Sequence, residues 1–581
     1  MNKQKRYTAD FETTTDINDC RVWAWGICDI DTLEFKYGNT IESFIEFLKN
    51  NGNSLYYFHN LKFDSQFIIY HLFESGYKYF IEDTDICDNS FTTLENELGG
   101  FYSMDIVFNV NKNQKYRNKK VKIVDSMKLL NMSVENVVES FGLPIEKLEI
   151  DYKKYRKKGH VLDSEEIAYL RNDVEIMARA LKIMFEDGHT KMTIGGNAIE
   201  NYKTTITNWK YYYPELDDDI DSYIRKSYKG GFTYLNPIKK NLIINDGIVI
   251  DKNSMYPSMM RYKLLPYGQP VYFQGKYEYD EDYPLYIQRI TCAFRLKKGK
   301  IPTIQVKNSF KFLPNEYIED SDYEILTLTL TNIDLELFLE NYDITIDIEY
   351  HDGFKFKGMV GLFDEYIDYW TLRKIESKKL GNKGIYLMSK LFLNSLYGKF
   401  GTNPYGRKKT LEFIDGEVKN KITPLEKIKS YYLPMASFIT SYARDDIIRS
   451  SQKLRDYTLE KYGEDYYIYS DTDSIHAESL TDEELKEIFD IDSYKLGAWD
   501  LEKRFTKAKF IRQKCYIEEV DEKLETTIAG LPKSMGKYVN FDNFKEGFQI
   551  LASDITKNEK KLRYVKCKGG VVLVETDFTI K

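Results

Sequence analysis

At 581 residues, with 42% hydrophobic and 30% charged side chains, the chain can build several cores and shows none of the bias of a fibrous or disordered protein. No apolar stretch reaches membrane-spanning length, the first ten residues lack a signal-peptide core, and the six cysteines form no CxxC pair, which excludes a membrane span and a cysteine–zinc centre and predicts a soluble protein of a reducing cytoplasm. The formal net charge of -8 excludes a uniformly basic nucleic-acid binder and leaves only local patches.

The N-terminal third alternates strand and helix signals. Residues 6–11 and 55–58 predict strands, and 65–74 repeat apolar residues at helical spacing before Gly76, a C-cap candidate. Asp163 with Glu166 is a capping-box pattern opening a helix to about Phe185, on which Tyr169 and Asp173 share a face. Basic residues cluster despite the acid excess: 112–122 carries six Lys/Arg and no acid, 153–158 carries five around Tyr152 and Tyr155, and 557–568 carries six against Glu559. Each run alone fits a solvated face; together, beside candidate sites, they favour a phosphate track.

Further on, Gly247-Ile248-Val249-Ile250 predicts a buried strand ending on Asp251, where an unpartnered carboxylate is costly. A helical pattern from about Gly384 places Lys390, Asn394 and Tyr397 on one face, with Leu387 and Leu391 elsewhere. A cation, an amide and a ring on one stripe suit a ligand with phosphate, sugar and base; a core helix with a snorkelling lysine is the competing reading. Tyr466-Tyr467-Ile468-Tyr469 and Ser474-Ile475-His476 predict strands joined by a hairpin tip at Asp471-Thr472-Asp473. Carboxylates at i and i+2 repel unless a hard cation lies between them, although a lone D-T-D also fits an Asp-rich turn. Lys514-Cys515-Tyr516 closes a stretch, 503–514, with six Lys/Arg and no acid.

Asp10-Phe11-Glu12-Thr13, Asn60-Leu61-Lys62-Phe63-Asp64 and Tyr169-Leu170-Arg171-Asn172-Asp173 resemble the three proofreading exonuclease motifs of family B DNA polymerases. The segments 251–257, 390–398, 469–474 and 514–516 resemble motifs A, B, C and Lys-x-Tyr of that family, and Tyr228-Lys229-Gly230-Gly231 resembles its Tyr-x-Gly-Gly linker. Eight ordered motifs are specific where one alone is weak. The short chain and the long insert between motifs A and B resemble the protein-primed branch of small tailed phages, the phi-twenty-nine type. The resemblance implies an α/β and α+β multidomain fold, with a ribonuclease H-like 3'-5' exonuclease domain (1–191) followed by a right-hand polymerase. Its palm would be 192–262 and 433–537, its fingers 362–401 and its thumb 538–581. Two inserts, 263–361 and 402–432, resemble terminal protein regions 1 and 2, the second predicting a basic hairpin-like loop. A longer than usual loop is expected at 375–383, and 571–580 alternates as in a two-stranded ribbon.

The implied activity is replicative, DNA-templated DNA synthesis with 3'-5' proofreading, begun on a priming (terminal) protein with which an otherwise monomeric enzyme forms a heterodimer. Its substrates would be double- and single-stranded DNA and deoxynucleoside triphosphates. Each site would hold two magnesium ions, replaceable by manganese, about 3.5–4 Å apart. For synthesis the resemblance assigns Asp251 and Asp473 as main ligands, with Asp471 and the Lys252 carbonyl beside them. Lys374 and Lys390 would hold the triphosphate, Asn394 would contact the nucleotide, Tyr256 would underlie the sugar and exclude a 2'-hydroxyl, and Tyr397 would pack on the nascent base pair. Lys514 and Tyr516 would hold the primer end, and Tyr228, Gly230 and Gly231 would contact DNA. For hydrolysis it assigns Asp10, Glu12, Asp64 and Asp173 as ligands, Tyr169 to orient water and Lys147 to steady phosphate charge. Thr13, Tyr57, His59, Asn60, Phe63, Phe67, Ser126 and Tyr152 would grip the frayed strand, stacking contributing about 1–3 kcal/mol per base. Phe67 reads equally as a core residue and His59 as a satisfied hydrogen-bonding histidine. An exonuclease with a non-catalytic DNA-binding C-terminal half is the alternative function, and an initiation scaffold a third.

Overall fold

Arg6–Thr13 organises the N-terminal region, because it pairs antiparallel with Val22–Asp29 and parallel with Leu55–Phe58. The sheet around it has eight strands, ordered Phe35–Gly38, Val22–Asp29, Arg6–Thr13, Leu55–Phe58, Lys119–Asp125, Phe101–Asn109, Ser90–Glu95 and Lys78–Tyr79. The computed structural model describes residues 4–110, 119–152, 154–306, 316–555 and 561–581, so the basic runs at 112–122, 153–158 and 557–568 lie partly outside the described residues.

Both faces of this sheet are covered. Phe58 joins Phe11, Phe44 and Ile68 on one side, whereas its neighbour Tyr57 joins Val174 and Leu181 of the helix Ser164–Glu186 on the other. That helix opens with the expected capping box, Asp163 accepting from the Glu166 N–H and the Glu166 carboxylate accepting from the Asp163 N–H. The other flanking helix, Leu61–Glu74, starts four residues earlier than its apolar period predicts, because Asn60 turns left-handed and Asp125 accepts its N–H. It ends as expected: Gly76 has φ +79°, and the Tyr77 N–H donates to the Leu72 carbonyl.

A second sheet has seven strands, ordered Lys523–Ile528, Cys515–Val520, Trp499–Arg512, Ile243–Lys252, Ser474–Glu478, Tyr467–Asp471 and Thr233–Leu235. Ile447, Ile448 and Leu454 of the long helix Leu433–Tyr462 pack onto Ile248, Ile250 and Ile475. Before that helix lies a separate four-stranded antiparallel sheet (Leu265–Gln274, Tyr342–Met359, Leu285–Leu296, Leu326–Thr331) with the helix Asn332–Asn341. Buried Arg444 joins the two units, pairing with Asp334 at 2.6 Å and donating to the carbonyls of Lys229 and Gly230 at 3.0 Å.

Two helices, Asp364–Lys379 and Lys383–Phe400, form the fingers-like hairpin. The loop expected at 375–383 is mostly helix: Ile375-Glu376-Ser377-Lys378-Lys379 finishes the first helix, its lysines suit the negative end of the dipole, and only 380–382 connect. The second helix is seated against the exonuclease region, where Met388 is fully buried and a Cβ on Gly384 would lie 2.9 Å from Phe141. Arg373 adds a fork to Asp187.

The 402–432 segment is a pair of ribbons, Lys409–Ile414 with Glu417–Ile422 and Tyr405–Gly406 with Glu426–Lys427. Phe413 stacks on Phe73 of the exonuclease region, 5.2 Å between centroids. Near the C-terminus Leu562–Cys567 pairs with Gly570–Glu575. The alternating run 571–580 is therefore divided: Thr576 and Asp577 break it, and Phe578–Thr579 pairs with Gln549–Ile550 instead.

Candidate active sites

The first site is built from three distant segments. Asp10 and Glu12 come from Arg6–Thr13 and Asp173 from Ser164–Glu186, each placing a carboxylate oxygen within 4.8 Å of the others'. Burial, then the charge of Asp173, pushes the Asp10 carboxyl up to about 7. Burial likewise holds Glu12 and Asp64 well above the usual carboxylate range, with Asp10 adding repulsion to both. Asp64 completes the expected quartet from the first turn of Leu61–Glu74, outside the tight trio.

Lys147 donates to Asp173 and, at 2.9 Å, to the Tyr169 hydroxyl, which also meets the Tyr152 hydroxyl at 2.6 Å. The other oxygen of Asp173 is buried and has no protein hydrogen-bond partner. Three converging acids with one orphaned oxygen fit a hard divalent cation.

The expected strand-gripping residues divide. Thr13 sits half-buried at the strand end, and Asn60 and Phe63 line the surface below Tyr564, whose hydroxyl accepts from Asn60 at 3.3 Å. Tyr57 is withdrawn into the opposite core against Phe185, and Phe67 is buried beneath Gly570. Ser126 is buried and donates to the Phe58 carbonyl at 3.0 Å. Both ring nitrogens of His59 are occupied, by Ser126 at 3.1 Å and the Met132 carbonyl at 2.7 Å. These four pack the scaffold, because β alternation and helix seating turn them inward.

The second site lies where the central strands of the seven-stranded sheet end. Asp251 is in register with Ser474 on one side and Asp500 on the other, and the Lys252 N–H donates to the Asp473 carbonyl at 2.8 Å. Asp471 and Ser474 close the hairpin whose tip, Thr472, has φ +63°. Burial, then Asp473, pushes the Asp251 carboxyl up to about 7, and burial also raises Asp473. Glu502 acts on both acids. Sequence reading missed it and Asp500, although Asp500-Leu501-Glu502 has the same i, i+2 spacing as Asp471 and Asp473.

Asp471 faces a different partner. Lys514 holds both its oxygens, and the Tyr469 hydroxyl donates to it at 3.1 Å, so this acid is engaged by protein. The Lys252 ammonium pairs with Asp446 at 2.6 Å. Across from the acids stand Lys374, 3.4 Å from the Ser254 hydroxyl, and Lys390, whose charge reaches Asp251 and Asp473. Burial, then Lys390, lowers Lys374. Asn394 is exposed on the Lys390 helix. Tyr397 of that helix stacks on Tyr256, 4.0 Å between centroids. Tyr516 is packed among Tyr469, His476 and Phe510.

The linker segment closes this site. A Cβ on Gly231 would lie 2.9 Å from Thr472 and 3.0 Å from the Tyr256 hydroxyl, whereas Gly230 faces open space. Tyr228 packs against Gly401 at the end of the Lys383–Phe400 helix. The basic stretch 503–514 is largely neutralised: Lys503 pairs with Glu518 and Glu525, Arg504 with Asp482, and Lys509 and Arg512 donate to carbonyls. Arg156, in the run 153–158, is buried on Glu166 and Trp23. Acids and carbonyls brought in by folding, invisible in a linear count, account for both.

The family profile described as DNA polymerase type B, organellar and viral, matches residues 149–491. The DNA polymerase of Bacillus phage Nf is 41% identical over all of both chains, and that of Bacillus phage phi29 is 40% identical over all of this chain and 99% of its own. The DNA polymerase of Streptococcus phage Cp-1 is 32% identical over 99% of this chain and 98% of its own. The solved structure of phi29 DNA polymerase complexed with primer-template DNA and incoming nucleotide substrates matches with a TM-score of 0.90 at 39% identity, covering all of both chains. Its complex with single-stranded DNA matches at 0.88 and 38%, again over all of both chains. Two acidic sites on a ribonuclease H-like sheet and a palm-like sheet, with these full-length relationships, place the chain in the organellar and viral family of type B DNA polymerases.

Proposed function

We propose that the protein is a replicative DNA polymerase that starts on a protein primer and edits its product with a 3'-5' exonuclease. The observation that carries the synthetic half is the convergence of Asp251 and the Asp473 hairpin opposite Lys374 and Lys390. Paired half-buried acids facing paired cations suit a triphosphate and the divalent ions that accompany it, magnesium being the natural choice for all-oxygen donors. Asp251, Asp473 and Glu502 would hold the ions at this site, and Asp10, Glu12, Asp64 and Asp173 at the other. When bound, such ions would make the attacking hydroxyl or water more nucleophilic and offset charge on the leaving oxygen.

The chain's own residues do the rest. Lys374 and Lys390 bind the triphosphate charge, and the Tyr256–Tyr397 stack forms a platform for sugar and base. Lys514 positions Asp471 and the primer end. In the editing site the Tyr169 hydroxyl, oriented by Lys147 and Tyr152, holds water in line with the phosphate. Duplex and single-stranded DNA and deoxynucleoside triphosphates are the substrates. Synthesis would start on a priming protein held by the two inserts, in a host cytoplasm.

Primer extension and exonuclease assays on single-carboxylate variants test this reading. Asp473→Ala abolishes extension and keeps exonuclease activity; Asp173→Ala does the reverse. Retained extension in Asp473→Ala would leave a nuclease with a DNA-binding half. Priming is tested by nucleotide transfer to a hydroxyl of a small protein encoded beside this one.

A further inference from the structure

The hairpin Leu562–Cys567/Gly570–Glu575 crosses from the thumb to the exonuclease region and docks there. Val571 and Val572 are buried in the core that holds Phe11, Phe58 and Phe67. At the turn, Gly569 lies so close to Cys20 that a Cβ would stand 2.1 Å from the Cys20 carbonyl. The Cys20 thiol donates to the Val571 carbonyl at 3.6 Å, and a Cβ on Gly569 would lie 3.8 Å from the Cys20 Cβ, which sets Cys567, paired with Gly570 across the same turn, beside it. Both sulfurs are free thiols, Cys20 buried and Cys567 half-exposed against the same core. Lys566, next to Cys567, donates to Asn420 on the 402–432 ribbon at 3.4 Å. Palm, thumb, exonuclease region, ribbon and fingers therefore form one circuit, and at this junction the hairpin is held by non-covalent contacts alone.

We propose that Cys20 and Cys567 are a redox latch, oxidised by hydrogen peroxide to a disulfide that joins the thumb hairpin covalently to the exonuclease domain and prevents the circuit from opening around DNA. The half-exposed Cys567 reacts first: its sulfur attacks peroxide, the O–O bond breaks, and a sulfenic acid and water form. The Cys20 sulfur then displaces that hydroxyl, an S–S bond replaces the S–O bond, and the Cys20 proton leaves with hydroxide as a second water. Two thiols lose two electrons and peroxide gains them. Burial raises the Cys20 thiol, so the second step is slow in bulk terms, and the shared position of both cysteines at the turn offsets this. A dithiol reductant reverses the bond.

The test uses the full-length protein on a primed single-stranded DNA circle, with and without peroxide. Peptide mass spectrometry is expected to show Cys20 linked to Cys567 in the wild type and in Cys87→Ser, and no such link in Cys567→Ser or Cys20→Ser. After a heparin challenge the oxidised wild type should leave the circle about tenfold more slowly or worse, while Cys567→Ser leaves at the reduced rate. Dithiothreitol, or linearising the circle, should restore release. The latch is overturned if oxidation leaves both thiols unlinked or pairs them with other cysteines. The ring-locking role is overturned if the disulfide forms and release from the circle is unchanged. Retention on DNA rests on the proposed polymerase function and the disulfide map does not: a reduced protein that neither binds nor extends the circle refutes the former and leaves the map to decide the latch.

Discussion

Lys514 grips both carboxylate oxygens of Asp471, at 2.9 and 3.0 Å, and so ties the Lys-x-Tyr turn to the hairpin that carries Asp473. Lys514→Ala releases that carboxylate beside Asp473, whose carboxyl Asp471 already pushes up. Extension should fall about 10–100-fold, with its pH profile moved to higher pH, while exonuclease activity on single strands is unchanged. Lys514→Arg should restore much of the rate. An unmoved pH profile would show that Lys514 acts on the primer alone.

Neighbouring glycines give a paired test. Gly231→Ala forces a methyl group against Thr472 and the Tyr256 hydroxyl, displacing the tip between Asp471 and Asp473. Gly230→Ala meets open space. Steady-state incorporation should drop about tenfold or more in the first and stay near wild type in the second.

Tyr169→Phe removes a hydroxyl that Lys147 and Tyr152 both engage and leaves the ring packed. Editing should slow about 10–100-fold without loss of extension. Release of mispaired 3' nucleotides measures it.

Asp10 and Asp251 both sit near 7 because burial and a neighbouring acid oppose their ionisation. Loading a divalent cation near neutral pH must therefore expel protons. Titration calorimetry with manganese, repeated in buffers of different ionisation enthalpy, should report proton release at both sites, the larger share from the first, where burial raises Glu12 and Asp64 as well as Asp10. Asp10→Asn and Asp251→Asn should each lower the release; buffer-independent heats would contradict the burial argument.

Behind Tyr516 lies a buried polar cluster, the His476 Nδ1 2.7 Å from the Glu518 carboxylate, with the Lys503 ammonium pairing with Glu518 at 2.8 Å. Burial raises the Glu518 carboxyl, but His476 and Lys503 outweigh it and hold the group below its ordinary value. Its stabilisation is complete above the unfolded glutamate value of about 4.3 and is lost as pH falls through the lower folded value. Glu518→Gln should destabilise by about 3 kcal/mol at neutral pH, as a lower melting temperature, and the gap should narrow in acid.

Much of both sites was legible because their ligands sit at strand and helix ends with local signatures. The capping box at Asp163, the hairpin at Asp471-Thr472-Asp473 and the stripe of Lys390 and Tyr397 each depend on spacing within one element. Partners set by packing were not legible. Glu502 approaches Asp251 only through strand pairing, Arg444 reaches Gly230 from a helix more than 200 residues away, and Tyr564 meets Asn60 across 504 positions. Tyr57 and Phe67 fit a recognition pattern, but the two faces of one sheet and a docking hairpin claim them.

Met388 and Gly384 embed the start of the Lys383–Phe400 helix in the exonuclease core, and Arg373 clamps its companion to Asp187. A swing of these helices as a free lever would tear that seam. The exonuclease region is thus the mechanical abutment against which this helix pair rests.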